Sequence, residues 1–184
     1  MCLLAELPQL VPEVGELRWR EWGRPPEPVD LSWWVAMTRR EAGRAELPVT
    51  FVAVDAGGAV VGAVGLGEYD LAECRDRSPW VLGMVVRPDH RGRGVARLLL
   101  SRVERLAADL GYAAVWVATG PAAEFYRRWG WRESGRLRLG SGQPVVVLRK
   151  PCRPGITSDV IDTAPPRAGW LPGTHQSDTG GGTP

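Results

Sequence analysis

A basic glycine loop between an apolar strand and a helix is the feature that most constrains this chain. Trp80–Val86 is an apolar, β-branched run of strand length, and Pro88 ends it because proline cannot donate to a sheet ladder. Beyond the loop the apolar residues take helical spacing, and Gly111 follows as a C-cap. The predicted apolar stripe of this helix consists of Val95, Leu98, Leu99, Val103, Leu106 and Leu110. We therefore predict a strand, a tight loop and a long helix over residues 80–111.

The loop Arg91–Gly94 has the properties of an anion site. Its glycines let a ligand approach the backbone closely, and the first turn of the following helix has unpartnered N–H groups with a partial positive charge. Arg91 and Arg93 add full positive charges. We predict a phosphate or diphosphate ligand here; the alternative is a structural turn with solvated arginines. The Lys-Ser/Thr of a P-loop is absent, and Arg97 replaces the third glycine of a dinucleotide fingerprint.

Two motifs resemble those of the GNAT acetyltransferase superfamily. Arg91, Gly94 and Ala96 form Arg-x-x-Gly-x-Ala, which resembles its motif A, and Phe125-Tyr126 followed by Gly130-Trp131 resembles its motif B. The resemblance implies an α/β (α+β) fold with a central mixed, mostly antiparallel sheet flanked by helices. It also implies that acetyl-CoA is the co-substrate. The residues implied to bind it are Met84, Val85, Val86, Arg91, Gly92, Arg93, Gly94, Val95, Ala96 and Arg97.

The implied activity is the transfer of an acetyl group to a primary amine by direct attack in a ternary complex. In the family, the tyrosine at the position of Tyr126 points at the CoA sulfur, so we predict that it protonates the leaving thiolate. The general base is left open among acidic residues that follow the second hairpin strand: Glu68, at the end of that strand, is the better placed candidate, Asp70 comes second, and Glu73 lies further along the loop. This acidic segment favours a small cationic amine. The alternatives are a protein N-terminus or lysine as acceptor, and a non-catalytic acyl-CoA sensor.

Composition argues against several other classes of protein. The net charge of +2 is weak for a nucleic-acid-binding protein, although arginines cluster around residues 87–102. Three scattered cysteines and two histidines predict no metal site and a reducing, cytoplasmic location. No stretch is long and apolar enough for a membrane span, and no signal peptide is predicted. We expect a monomer or a homodimer.

We predict one domain over residues 1–150 and a disordered tail over residues 151–184, which are rich in Pro, Gly, Thr and Ser. The first strand of the GNAT pattern is missing or reduced to Leu3-Leu4. A helix over residues 7–23 is predicted to be broken by Pro12, and Asp30 or Ser32 to cap a second helix. Trp33 and Trp34 on that helix are interpreted as packing residues, with an acceptor pocket as the alternative.

Overall fold

The computed structural model describes residues 1–71 and 74–152. The candidate base Glu73 and the predicted tail from residue 153 onward lie outside these ranges. Short 3-10 turns occur at residues 4–6, 8–10 and 88–90. The strands and helices in chain order are β1 (Cys2–Leu3), α1 (Val11–Trp22), α2 (Leu31–Arg40), β2 (Val49–Val54), β3 (Val60–Gly67), β4 (Trp80–Val86), α3 (Val95–Asp109), β5 (Ala114–Thr119), α4 (Ala123–Arg128), β6 (Arg132–Arg138) and β7 (Pro144–Pro151).

A seven-stranded sheet organises the chain in the order β1-β2-β3-β4-β5-β7-β6. The pairing of β4 with β5 is parallel and each of the other pairings is antiparallel. This arrangement confirms the predicted α/β (α+β) fold with a mixed, mostly antiparallel sheet. The first strand is short, as predicted, but it consists of Cys2 and Leu3, which pair with Val52 and Phe51 of β2, whereas Leu4 begins a 3-10 turn.

Helices cover both faces of the sheet, because successive strand residues point to opposite sides. Phe51 on β2 packs with Leu99 and Val103 of α3, whereas its neighbour Val52 packs in a second cluster with Val14 of α1. All five side chains are buried. The two helices therefore sandwich the sheet, and Glu21 near the end of α1 forms an ion pair with Arg91 of the loop that connects β4 to α3.

The predicted apolar stripe of α3 was partly wrong. Leu98 and Leu110 are 60% and 47% exposed, whereas Leu100 and Ala107 are buried beside Leu99 and Val103. A 3.6-residue period allows several overlapping stripes in such a leucine-rich helix, and the direction from which the sheet approaches decides which is buried. That direction depends on residues far along the chain.

Pro12 begins a helix instead of breaking one. The preceding residues form a 3-10 turn, and α1 starts at Val11 with Pro12 in its first turn, where a missing N–H removes no helical hydrogen bond. Of the two candidate caps of α2, Asp30 takes the role: its Oδ1 accepts a hydrogen bond from the backbone N–H of Ser32 at 2.9 Å.

Strands β4 and β5 pair at Trp80 and Trp116, and the residues that follow this pair on both strands line a cavity. Their parallel register pairs Trp80 with Trp116. Two residues further on β4, Leu82 pairs with Gly65 of β3; the register of that pair then shifts, and Gly83 has a φ of +47°. The residues that follow the tryptophan pair, Val81–Met84 on β4 and residues 117–119 on β5, line one cavity. The sheet itself thus creates the space in which a ligand can lie.

Within residues 1–71 and 74–152, the helices are all too short or too polar to cross a bilayer. The same residues contain no group of three His, Cys, Asp or Glu side chains suited to a metal ion. Cys2, Cys74 and Cys152 are free thiols.

Candidate active site

A cavity of about 650 Å³ lies against the loop between β4 and α3, and we call it the loop cavity. Of the ten residues that the sequence predicts for cofactor binding, nine line this cavity; Arg93 does not. The nine are Met84, Val85, Val86, Arg91, Gly92, Gly94, Val95, Ala96 and Arg97. The end of one strand, the loop and the first turn of one helix therefore form a continuous wall.

The two glycines of the loop leave its backbone accessible to a ligand. Gly92 and Gly94 have φ angles of +75° and +82°, and no other residue lies within 4 Å of the position that a Cβ would take. These angles favour glycine, and the open space lets a bulky anion reach the backbone. Arg91 fixes the start of the loop, because its Nε donates a hydrogen bond to the Val86 carbonyl at 3.0 Å. The N-terminus of the 15-residue α3 begins directly after Gly94.

The wall of the loop cavity also contains aromatic and charged residues that were not predicted to bind the cofactor. Phe125 and Trp129 contribute apolar wall, and the guanidinium of Arg97 lies 4.7 Å from the centre of the Trp129 ring. Glu21, from the far end of α1, also lines the cavity. Phe125 and Trp129 lie close in sequence to the tyrosine of the second motif, so this proximity could have identified them. Glu21 lies near neither motif in the sequence, so nothing local indicated its place in the cavity.

A second cavity, of about 510 Å³, lies between β4 and β5 beneath α1 and α2, and we call it the acidic cavity. It shares three lining residues, Glu21, Met84 and Ala122, with the loop cavity, so the two cavities adjoin. Among the described residues that line it, the only basic side chain is Arg18. The carboxylates in its wall belong to Glu21, Glu27, Glu41 and Asp70.

Asp70 has an unusual pKa for an aspartate. Asp70 is an exposed residue of the loop after β3, yet its side chain lines the acidic cavity. Desolvation of the carboxylate, followed by the negative charges of Glu41 and Glu27, raises the pKa of Asp70 to about 6. The carboxylate is therefore mostly ionised at neutral pH, yet basic enough to accept a proton.

The other two candidate bases differ from Asp70 in their placement. Glu68, just after β3, is exposed as Asp70 is, but it lines neither the loop cavity nor the acidic cavity. Glu73 lies outside the described residues. Geometry thus brings Asp70, and not Glu68, into the same cavity as Tyr126.

Tyr126 lies on α4 with 3% of its surface exposed, and it lines the acidic cavity. Its hydroxyl donates to Sδ of Met84 at 3.9 Å, and Met84 is one of the residues shared by both cavities. Burial, followed by the negative charge of Asp70, raises the pKa of Tyr126 well above its usual value. The hydroxyl consequently keeps its proton and acts as a hydrogen-bond donor at the junction of the two cavities.

Tryptophans form the outer wall of the acidic cavity. Trp34 stacks on Trp22 with ring centroids 6.0 Å apart and meets the edge of Trp33 at 5.1 Å. All three rings line the cavity. The indole N–H of Trp34 donates to the Pro28 carbonyl at 2.8 Å, which anchors the linker that carries Glu27. These rings therefore pack against one another, as the sequence interpretation has it, and they also line the cavity.

Arg18 is buried at the inner end of the acidic cavity with 2% of its surface exposed. Its Nη1 donates to Oε2 of Glu41 at 2.7 Å and to Oγ1 of Thr38 at 3.2 Å. The guanidinium also packs against Gly83, where a Cβ would lie 3.0 Å from Cζ. Arg18 therefore ties α1 to α2 and to the irregular part of β4.

Four of the five arginines at residues 87–102 that suggested nucleic-acid binding have partners within the fold. Arg87 forms an ion pair with Asp89 at 2.9 Å, and Arg91 forms one with Glu21 at 2.7 Å. Arg97 stacks on Trp129, and the guanidinium of Arg102 lies 5.1 Å from the centre of the Phe51 ring. These contacts give each of the four side chains a partner in the folded chain.

Comparisons with known proteins agree with this geometry. The sequence pattern of the acetyltransferase (GNAT) family matches residues 11–131. None of the curated proteins compared with the chain is a significant match.

Three solved structures illustrate the similarity. An aminoglycoside 6'-N-acetyltransferase in complex with coenzyme A superimposes with a TM-score of 0.63 at 17% identity, covering 80% of this chain and 93% of that one. The spermidine/spermine N-acetyltransferase SpeG of Vibrio cholerae gives 0.56 at 20% identity, covering 78% and 89%. A nourseothricin acetyltransferase gives 0.50 at 27% identity, covering 58% and 66%.

Proposed function

Because the chain belongs to the acetyltransferase (GNAT) family, we propose that it transfers an acetyl group from acetyl-CoA to a primary amine of a small cationic molecule, directly within a ternary complex. Acetyl-CoA supplies the acetyl group as an activated thioester. The observation that carries the proposal is that the loop cavity and the acidic cavity lie side by side, with Glu21, Met84 and Ala122 in the walls of both. A cofactor and an amine that enter from the two sides can meet there.

The loop cavity has the chemistry that a CoA diphosphate requires. Gly92 and Gly94 leave the backbone accessible, and the N-terminus of α3 contributes partial positive charge. Arg91 adds a full charge in the wall of the same cavity. The residues present therefore fit the cofactor that the family uses.

The acidic cavity has the chemistry that a cationic amine requires. Four carboxylates face one guanidinium, and that guanidinium is already paired with Glu41. The rings of Trp22, Trp33 and Trp34 add surfaces on which a cation or an apolar stem can lie. The solved acetyltransferases named above act on aminoglycosides and on spermidine or spermine, which are small amines with several positive charges.

Two side chains are assigned to proton transfer. Asp70 takes a proton from the incoming ammonium, since an amine must lose this proton before its nitrogen can attack. Its pKa of about 6 suits that task at neutral pH. Tyr126 keeps its proton and presents it as a hydrogen-bond donor beside Met84, toward the position of the leaving sulfur.

A thiol-release assay with acetyl-CoA and a panel of amines tests the proposed function. We expect spermidine or an aminoglycoside to be acetylated with a kcat/KM at least about tenfold above that of 2-phenylethylamine, because the acidic cavity stabilises additional positive charge. The preference should shrink as salt is added, since ions screen it. A preference for a peptide N-terminus would favour protein acetylation instead. Tight CoA binding without turnover of any amine would favour a sensor.

Tyr126→Phe tests the proton donor, because it keeps the ring and its packing and removes only the hydroxyl. We expect kcat to fall about a hundredfold, the low end for acid–base catalysis, because a CoA thiolate is already a good leaving group. CoA affinity, measured by calorimetry, should change little. Tyr112→Phe is the matched control, since Tyr112 packs against the core and lines neither cavity. An unchanged kcat in Tyr126→Phe, with chemistry shown to limit the rate, would make this tyrosine a packing residue.

A further inference from the structure

Glu21 occupies a position that belongs to both cavities. It lies in the last turn of α1 and lines the loop cavity as well as the acidic cavity. Its Oε2 accepts a hydrogen bond from Nη2 of Arg91 at 2.7 Å, across 70 positions of sequence. The pair is partly exposed, with 37% of the Glu21 side chain and 51% of the Arg91 side chain accessible. Both side chains thus have room to exchange partners.

A diphosphate at the loop must compete with Glu21 for Arg91. The Nε of Arg91 is held by the Val86 carbonyl, so the Nη groups are the part of the guanidinium left for a ligand, and Nη2 is bonded to Glu21. A carboxylate beside a bound diphosphate is also repelled by it, because the charges have the same sign. Binding of the diphosphate therefore weakens the Glu21–Arg91 contact.

Release of Glu21 has a consequence in the acidic cavity. While Glu21 is paired with Arg91, its negative charge is compensated and attracts a cation only weakly. Once Arg91 turns to the diphosphate, the Glu21 carboxylate becomes a free acceptor in the wall of the acidic cavity. Because Glu21 lies in a helix whose residues Val14 and Leu17 are buried, the side chain can turn without moving the backbone.

We propose that Glu21 couples the two binding sites: CoA takes Arg91 from Glu21, and the released carboxylate then binds the cationic acceptor. The acceptor half of this inference rests on the proposed function. Linkage requires the coupling to be reciprocal, so a bound cationic amine must strengthen CoA binding by the same factor. Glu21 is thereby an acceptor-binding residue whose availability depends on the cofactor.

The first experiment measures the competition without any acceptor. Glu21→Gln keeps the shape of the side chain and removes its charge, so we expect CoA and inorganic pyrophosphate to bind about three- to tenfold more tightly, by calorimetry. Glu16→Gln is the matched control, because Glu16 lies on the same helix in an ion pair with Arg20 at 2.6 Å and lines neither cavity. Affinities that stay the same in Glu21→Gln would overturn the proposal.

A double-mutant cycle with Arg91→Gln separates competition from simple repulsion. If Glu21 acts by holding Arg91, the gain from Glu21→Gln should largely disappear in the Arg91→Gln background. A gain of the same size in both backgrounds would mean that Glu21 merely repels the diphosphate, and would overturn the competition.

The second experiment measures the coupling, with spermidine as the probe amine. CoA should raise spermidine affinity about fivefold in the parent protein, and this factor should fall to about one in Glu21→Gln. Coupling that persists in the variant would overturn the role of Glu21. If spermidine and the other amines do not bind at all, the proposed function fails, while the CoA and pyrophosphate measurements still decide whether Glu21 competes for Arg91.

Discussion

Gly94→Glu should lower the affinity for CoA by at least about a hundredfold, because it places a carboxylate and a side chain in the space where the diphosphate meets the backbone. Gly94 lines the loop cavity at a φ of +82°, directly before the first turn of α3. Calorimetric titration of the purified variant with CoA measures the change.

The opposite end of the same helix offers a control for backbone strain. Gly111 has a φ of +81°, and a Cβ there would also meet nothing within 4 Å. It follows α3, whose 15 residues span about 22 Å and separate it from Gly94. Gly111→Glu therefore imposes a similar conformational cost without entering either cavity, and it should bind CoA as the parent does. If both variants are folded and both retain normal CoA affinity, the loop is not the diphosphate site.

Asp70→Asn should reduce kcat/KM for the preferred amine by a factor on the order of 10³ at pH 7.5, since it removes the group that accepts the ammonium proton. The pH profile makes the assignment specific. A base acts only when ionised, so kcat/KM of the parent should rise with pH through about 6 and then level off, following the raised pKa of Asp70. The asparagine variant should lack this rise.

Glu68→Gln distinguishes the two acidic candidates that the sequence left open. Glu68 is only two positions away from Asp70, exposed, and outside both cavities. We expect this variant to keep the activity and the pH profile of the parent. Loss of activity in Glu68→Gln, with Asp70→Asn unimpaired, would transfer the role of base to Glu68.

Local features of the fold could be predicted from the sequence because they depend on short-range sterics. The strand before Pro88, the glycines at positive φ and the cap at Asp30 each follow from the conformational limits of a few adjacent residues. The resemblance to a known family, and not local sterics, implied nine of the residues that line the loop cavity. These nine lie on one short stretch, residues 84–97, whereas Glu21, Phe125 and Trp129 reach the same cavity from other parts of the chain.

The acidic cavity could not be predicted in this way, because its wall comes from distant segments. Glu41 bonds to Arg18 across 23 positions, and Glu21 bonds to Arg91 across 70. Glu27 lies in a linker whose place is set by the tryptophans of both N-terminal helices. No local pattern in the sequence indicates that these carboxylates meet Asp70; only the packing of α1 and α2 over the sheet brings them together.

The position of β7 in the sheet links this fold to the order of its synthesis. β7 comes after β6 in the chain, but it lies between β5 and β6. Until Pro151 has been made, β5 therefore keeps an open edge and β6 lacks the neighbour with which it pairs. The acidic cavity depends on the same event, since Val145 of β7 and residues 117–119 of β5 form part of its wall. A nascent chain can thus complete its strand–loop–helix unit early, whereas the cavity for the amine forms only when the last described strand enters the sheet.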